Sequence, residues 1–169
     1  VKTFSSTPDD APGPERLLVG VSNTVVGTGE QTLVAYGLGA CVSVVLHDES
    51  AGVGGVTHAM LPKQPASGGT PGKYVDTAIE SLLRDVVGAG GGFGDVEAYV
   101  VGGATIFELQ DLDADAGERN VEAARTQLDA LDVPVVAEAV GGETGRTVEL
   151  DVAAGTVTVS TANGESAVL

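Results

Sequence analysis

The chain has a single cysteine in 169 residues, which excludes an intrachain disulfide and any multi-cysteine metal site and fits a reducing compartment. Tryptophan is absent and aromatic residues reach only 4%, so the core falls to Val, Ala, Leu and Ile. Cations are also scarce, with 8 Lys plus Arg against 24 Asp plus Glu and a formal charge of -16. So few cations cannot assemble a patch that neutralises a run of phosphates, and no nucleic-acid partner is expected. No apolar run reaches the roughly 18 residues that span a bilayer. Residues 1–15 show neither an apolar secretory segment nor a cleavage signal. A cytoplasmic chain that is not membrane-embedded is the expectation.

Apolar residues make up 43% of the chain, too many for intrinsic disorder. The length suits one domain with a real core. Only Lys2, Lys63 and Lys73 are lysines, and the acid excess repels itself in dilute buffer. At molar salt the screening length falls to about 3 Å and that repulsion fades. The composition therefore points to a salt-adapted, halophilic cytosol.

Residues 1–15 hold three prolines and the pair Asp9-Asp10 without apolar periodicity and read as a disordered tail. Residues 16–160 read as the single domain and 161–169 as a C-terminal tail. Stretches 17–21, 32–36, 42–47 and 53–58 are short, rich in β-branched residues and separated by turn formers, which predicts strands. Residues 47–52 form a hairpin loop that makes 42–47 and 53–58 antiparallel neighbours. Residues 60–72, with three Pro and three Gly, form a surface loop. Val75, Ile79, Leu82, Leu83 and Val86 share one helical face that stops at the glycine cluster of 88–94. A strand at 96–101 precedes a second helix carrying Val121, Ala124, Leu128 and Leu131, with Asn120 as its cap. Strands at 135–140, 147–151 and 156–159 complete an α+β fold whose sheet is mixed or antiparallel.

The only thiol, Cys41, follows the glycine-rich turn Gly37-Leu38-Gly39-Ala40 and opens a strand. Such a turn poses a nucleophile beside backbone N–H groups able to hold an oxyanion. A free thiol of pKa about 8.5 is mostly protonated at neutral pH and needs a base. Of the two histidines, His58 ends the strand that runs antiparallel to the Cys41 strand, so the hairpin returns it beside Cys41. His47 lies at the turn end, roughly 20 Å away along an extended strand, and is expected to be a solvent-exposed loop residue. A buried structural thiol and a hydrogen-bonded strand-end histidine are the competing reading.

Neither glycine cluster completes a nucleotide-binding fingerprint. Asp111, Asp113 and Asp115, like Asp48-Glu49, lack the spacing of an EF-hand loop and read as solvated acid. Gly117-Glu118-Arg119-Asn120 reads as a helix start that caps or pairs locally. No cofactor and no metal is expected.

Taken together, six blocks resemble the CheD family of chemoreceptor glutamine deamidases. They are Gly37-Leu38-Gly39-Ala40-Cys41-Val42, Gly54-Gly55-Val56-Thr57-His58-Ala59-Met60-Leu61-Pro62, Lys73-Tyr74-Val75-Asp76-Thr77-Ala78-Ile79, Gly102-Gly103-Ala104, Gly117-Glu118-Arg119-Asn120 and Val140-Gly141-Gly142-Glu143-Thr144-Gly145-Arg146. The resemblance implies a β-sandwich-like core flanked by helices, as in deamidating-toxin cysteine hydrolase domains. It also implies a protein-glutamine glutaminase in which Cys41 looks like the nucleophile and His58 like the general base and acid. The implied substrate is glutamine on the cytoplasmic helices of methyl-accepting chemotaxis receptors, and the implied second partner is a CheC-type phosphatase of the response regulator CheY. The family's usual third residue, a Thr six positions before the Cys, is here Ala35, and the common Ser before the Cys is Ala40. That departure leaves a weakly catalytic or non-catalytic adaptor, docking on CheC or on receptors, as the alternative.

Overall fold

Short segments dominated by β-branched residues form two five-stranded sheets in the computed structural model, which describes residues 14–106 and 115–169. In chain order the elements are β1 (Arg16–Leu18), β2 (Thr24–Thr28), β3 (Thr32–Leu38), β4 (Val42–Asp48), β5 (Val53–Thr57), a 3-10 turn (Pro71–Lys73) and α1 (Val75–Gly88). There follow β6 (Glu97–Gly102), α2 (Ala116–Ala130), β7 (Val135–Val140), β8 (Arg146–Asp151), β9 (Thr156–Thr161) and β10 (Ser166–Val168). One sheet has the order β1-β3-β8-β9-β10, the other β2-β5-β4-β6-β7. Parallel pairs β1/β3 and β6/β7 among antiparallel ladders make both sheets mixed, as the α+β reading requires.

Alternation along β4 divides the core. Val42, Val44 and Leu46 pack with Ile79 and Leu82 of α1 and Leu128 of α2. Val45 joins Leu33 and Ala35 of β3 and Leu150 of β8 between the two sheets. The apolar stripe predicted for α1 is the buried one, and side chains two apart on β4 reach opposite cores from those between them. The layers are thus helices, then the β4 sheet, then the β3 sheet.

Several expectations change. β2 was not anticipated, because its residues are interrupted by Gly27 and flanked by turn formers; it is an edge strand completed by pairing with β5. Residues 161–169, expected as a tail, carry β10 on the edge strand β9. The second helix starts at Ala116 rather than at Val121, so Asn120 lies within it and is no cap. Most of the expected N-terminal tail, with Asp111 and Asp113, lies outside the described residues.

Asp48, expected in solvent, is buried at the end of β4. Its carboxylate accepts from the N–H groups of Gly92 (2.8 Å) and Ala51 (3.0 Å) and from the Ser50 hydroxyl (2.8 Å). The Gly92 and Ala51 N–H groups hold its carboxyl below the usual range. One side chain therefore ties the β4–β5 hairpin to the glycine loop after α1. Because the folded pKa is depressed, this stabilisation is present above the unfolded value of about 3.9 and is lost as pH falls below it. Asp48→Ala is expected to cost about 2 kcal/mol at pH 7, read by urea denaturation, since it strands two backbone donors.

Candidate active site

Cys41 sits where the chain crosses from one sheet to the other, between the end of β3 at Leu38 and the start of β4 at Val42. The crossing begins at Gly37, whose φ of 68° favours glycine. Three successive carbonyls of the turn are engaged. Ala104 N–H donates to Gly39 O (2.8 Å), Asn120 Nδ2 to Ala40 O (2.8 Å) and Gly103 N–H to Cys41 O (2.9 Å). Gly102 permits this approach: its φ is 110°, and a Cβ there would lie 2.3 Å from the Cys41 carbonyl oxygen.

The β4–β5 register extends beyond the hairpin. Val42 and Ala59 exchange both backbone bonds, at 3.0 and 2.9 Å, in the same register as Val45 with Val56. Cys41 thus stands opposite Met60 and Ser43 opposite His58. By strand alternation Cys41, Ser43 and His58 share the face turned toward the β3 sheet, while Val42 and Ala59 face the helices. Cys41 and His58 are diagonal neighbours, a relation in which Cβ atoms stand roughly 7 Å apart. Between them and the hairpin, the Thr57 hydroxyl accepts the Val44 N–H at 2.8 Å.

His58 is held by backbone. Its Nδ1 lies 3.3 Å from Val19 O; a carbonyl only accepts, so this partner assigns the proton to Nδ1 and leaves the lone pair on Nε2. Val19 is itself fixed by its N–H to Val34 O at 2.8 Å. Extending the parallel β1/β3 register by one residue sets Val19 beside Ala35. The carbonyl that orients the imidazole therefore comes from the residue adjoining the position where the resemblance expects threonine.

Both groups rest neutral. Burial pushes the half-buried Cys41 thiol up, against an opposing pull from its own backbone N–H. Burial pushes His58 down, against the opposing Val19 carbonyl. His58 is 3% exposed, and its Nε2, like Ser43 Oγ, is buried without a hydrogen-bond partner among the described residues. Among the described residues no group of three or more His, Cys, Asp or Glu side chains is arranged to hold a metal ion.

His47 is not an exposed loop residue. It is buried near the end of β4, with Nε2 3.1 Å from Val152 O and Gly155 against its ring, because the β8–β9 turn folds over it. Sequence reasoning missed Val19, which acts through a backbone atom and leaves no residue-type signal. It also missed the role of Asn120, although a polar residue on the helix stripe containing Val121, Ala124 and Leu128 was a signal of burial.

Residues 60–161 match the family model described as CheD chemotactic sensory transduction. The chain is 42% identical over 142 residues to a probable chemoreceptor glutamine deamidase CheD of Pyrococcus abyssi, covering 82% of this chain and 87% of that protein. It is 33% identical over 173 residues to the protein of the same description from Haloarcula marismortui, covering 100% of both. Among solved structures, the Bacillus licheniformis hypothetical protein YfiH aligns with 69% of this chain and 49% of that one, at TM-score 0.45 and 14% identity.

Proposed function

This chain belongs to the CheD family, and from that premise we propose that it is a cytoplasmic cysteine amidohydrolase converting receptor glutamine side chains to glutamate and ammonia. The observation that carries this reading is the placement of a half-buried thiol and an Nε2 lone pair on one face of a strand pair, diagonal to each other. As the Cys41 sulfur attacks the amide carbon, its proton passes to His58 Nε2. The carbonyl oxygen takes up the electron pair and is held by the Cys41 N–H. Collapse breaks the C–N bond, and the Nε2 proton leaves with the nitrogen as ammonia. Water then attacks the thioester while giving a proton to Nε2; release of glutamate returns that proton to sulfur. No cofactor enters these steps. Each turnover places a new negative charge on a receptor helix and alters its side-chain pairing.

Ammonia release from a purified receptor cytoplasmic fragment at molar salt tests the reading; a receptor left unchanged by the wild-type protein contradicts it. A second reading, an adaptor that docks on a CheC-type phosphatase or on receptors, is favoured by Ala35, whose side chain has nothing to offer an imidazole. Stable capture of such a partner with no ammonia release would select it.

The pH dependence follows from His58. Turnover needs Nε2 unprotonated, and burial lowers the pKa, so the acid limb of kcat/KM is expected below the free imidazole value of about 6.5. The raised thiol puts any alkaline limb above about 8.5. An acid limb above neutrality would contradict the neutral resting pair.

A further inference from the structure

Asn120 is fully buried in the second turn of α2. Its Nδ2 donates to Ala40 O at 2.8 Å and to Met60 O at 2.9 Å. Both acceptors are carbonyls, so the amide cannot be flipped, and both its protons are used. These two carbonyls belong to the residue before Cys41 and to the residue opposite Cys41 across the strand pair. Oδ1 is buried with no hydrogen-bond partner among the described residues, which leaves one acceptor of the amide uncompensated.

Peptide planarity turns this contact into chemistry. Ala40 C=O and Cys41 N–H belong to one trans peptide unit and point in opposite directions. Fixing the carbonyl toward α2 therefore fixes the N–H away from it. That N–H acts on its own thiol in the direction that favours the thiolate, and turned away from α2 it is free to serve a carbonyl oxygen at Sγ. The neighbouring bonds from Ala104 N–H to Gly39 O and from Gly103 N–H to Cys41 O hold the units before and after it in the same way. Gly117 lets α2 come this close, since a Cβ there would lie 2.5 Å from Gly103 O.

We propose that Asn120 is a positioning residue that presets the Cys41 N–H as an oxyanion donor by holding the Ala40 carbonyl. The inference rests on the amidohydrolase reading, and its test separates the two. In Asn120→Ala, kcat on receptor falls about 30-fold, less than the 10² to 10³ seen when an oxyanion donor is removed outright, while KM stays within about twofold. Alkylation of Cys41 by iodoacetamide, which forms no oxyanion, also stays within about twofold of wild type. The ¹⁵N-labelled Cys41 amide resonance shifts, independently of any turnover. Asn120→Ser, which retains one donor, gives an intermediate kcat and serves if the alanine variant does not fold. An unmoved Cys41 amide resonance, or alkylation that falls in step with kcat, would overturn the proposal. Inactive wild-type protein whose Asn120 variants still shift that resonance would instead count against the amidohydrolase reading.

Discussion

Cys41→Ala is expected to abolish ammonia release from receptor, by at least about 10⁴-fold, while the protein stays folded. The reason is chemical rather than structural. Without sulfur there is no thioester, and what remains is water attack aided only by binding and the oxyanion donor. The stability cost is small, because Cys41 is half-buried at a strand entrance and its turn is held by backbone bonds from Ala104 and Gly103 and by Asn120. A loss of about 1 kcal/mol or less is expected for so small a truncation. Ammonia assay paired with thermal denaturation checks both halves. Turnover within tenfold of wild type would remove Cys41 from the mechanism.

His58→Ala carries the next largest effect, a fall in kcat of roughly 10² to 10⁴. Proton removal from a thiol whose pKa burial has raised cannot be left to solvent at neutral pH. The same change frees Val19 O, the imidazole's hydrogen-bond partner among the described residues, so modest destabilisation accompanies it. The informative signature is the pH profile. With His58 gone, the limb below about 6.5 disappears and rate rises with pH through thiol ionisation. A retained acid limb would mean that another group is the base.

The residues differ in how openly they announce themselves. The placement of Cys41 and His58 on neighbouring strand ends was legible because a lone thiol after a glycine turn and a histidine at a hairpin-related strand end leave residue-type and spacing signals. The β4–β5 pairing then followed from period and turn chemistry, and its register holds from Asp48 with Val53 to Val42 with Ala59. Helix α1 was legible from the spacing of Val75, Ile79, Leu82, Leu83 and Val86, all buried. What was not legible depends on atoms that every residue carries. The orientation of His58 is set by the carbonyl of Val19, brought there by the parallel β1/β3 pair, and no side chain at position 19 encodes that. His47 and Asp48 look like solvent-facing loop residues locally, and only the β8–β9 turn and the loop after α1, both distant in sequence, bury them. Asn120 was misplaced by one helical turn because α2 starts earlier, at Ala116, among residues with little apolar periodicity.

Electrostatics sets the conditions for any assay. A formal charge of -16 repels other copies of the chain and any acidic partner, and the proposed deamidation would add negative charge to its substrate. Screening at molar salt shortens that repulsion to about 3 Å, so measurements in dilute buffer would understate docking.

The most direct test is site-resolved peptide mass spectrometry of a receptor cytoplasmic fragment incubated with the protein at molar salt in ¹⁸O-enriched water. The account predicts that particular glutamines become glutamates carrying heavy oxygen with the wild-type protein and remain glutamines with Cys41→Ala. Unlabelled glutamines in both reactions, or equal conversion by the two proteins, would contradict it.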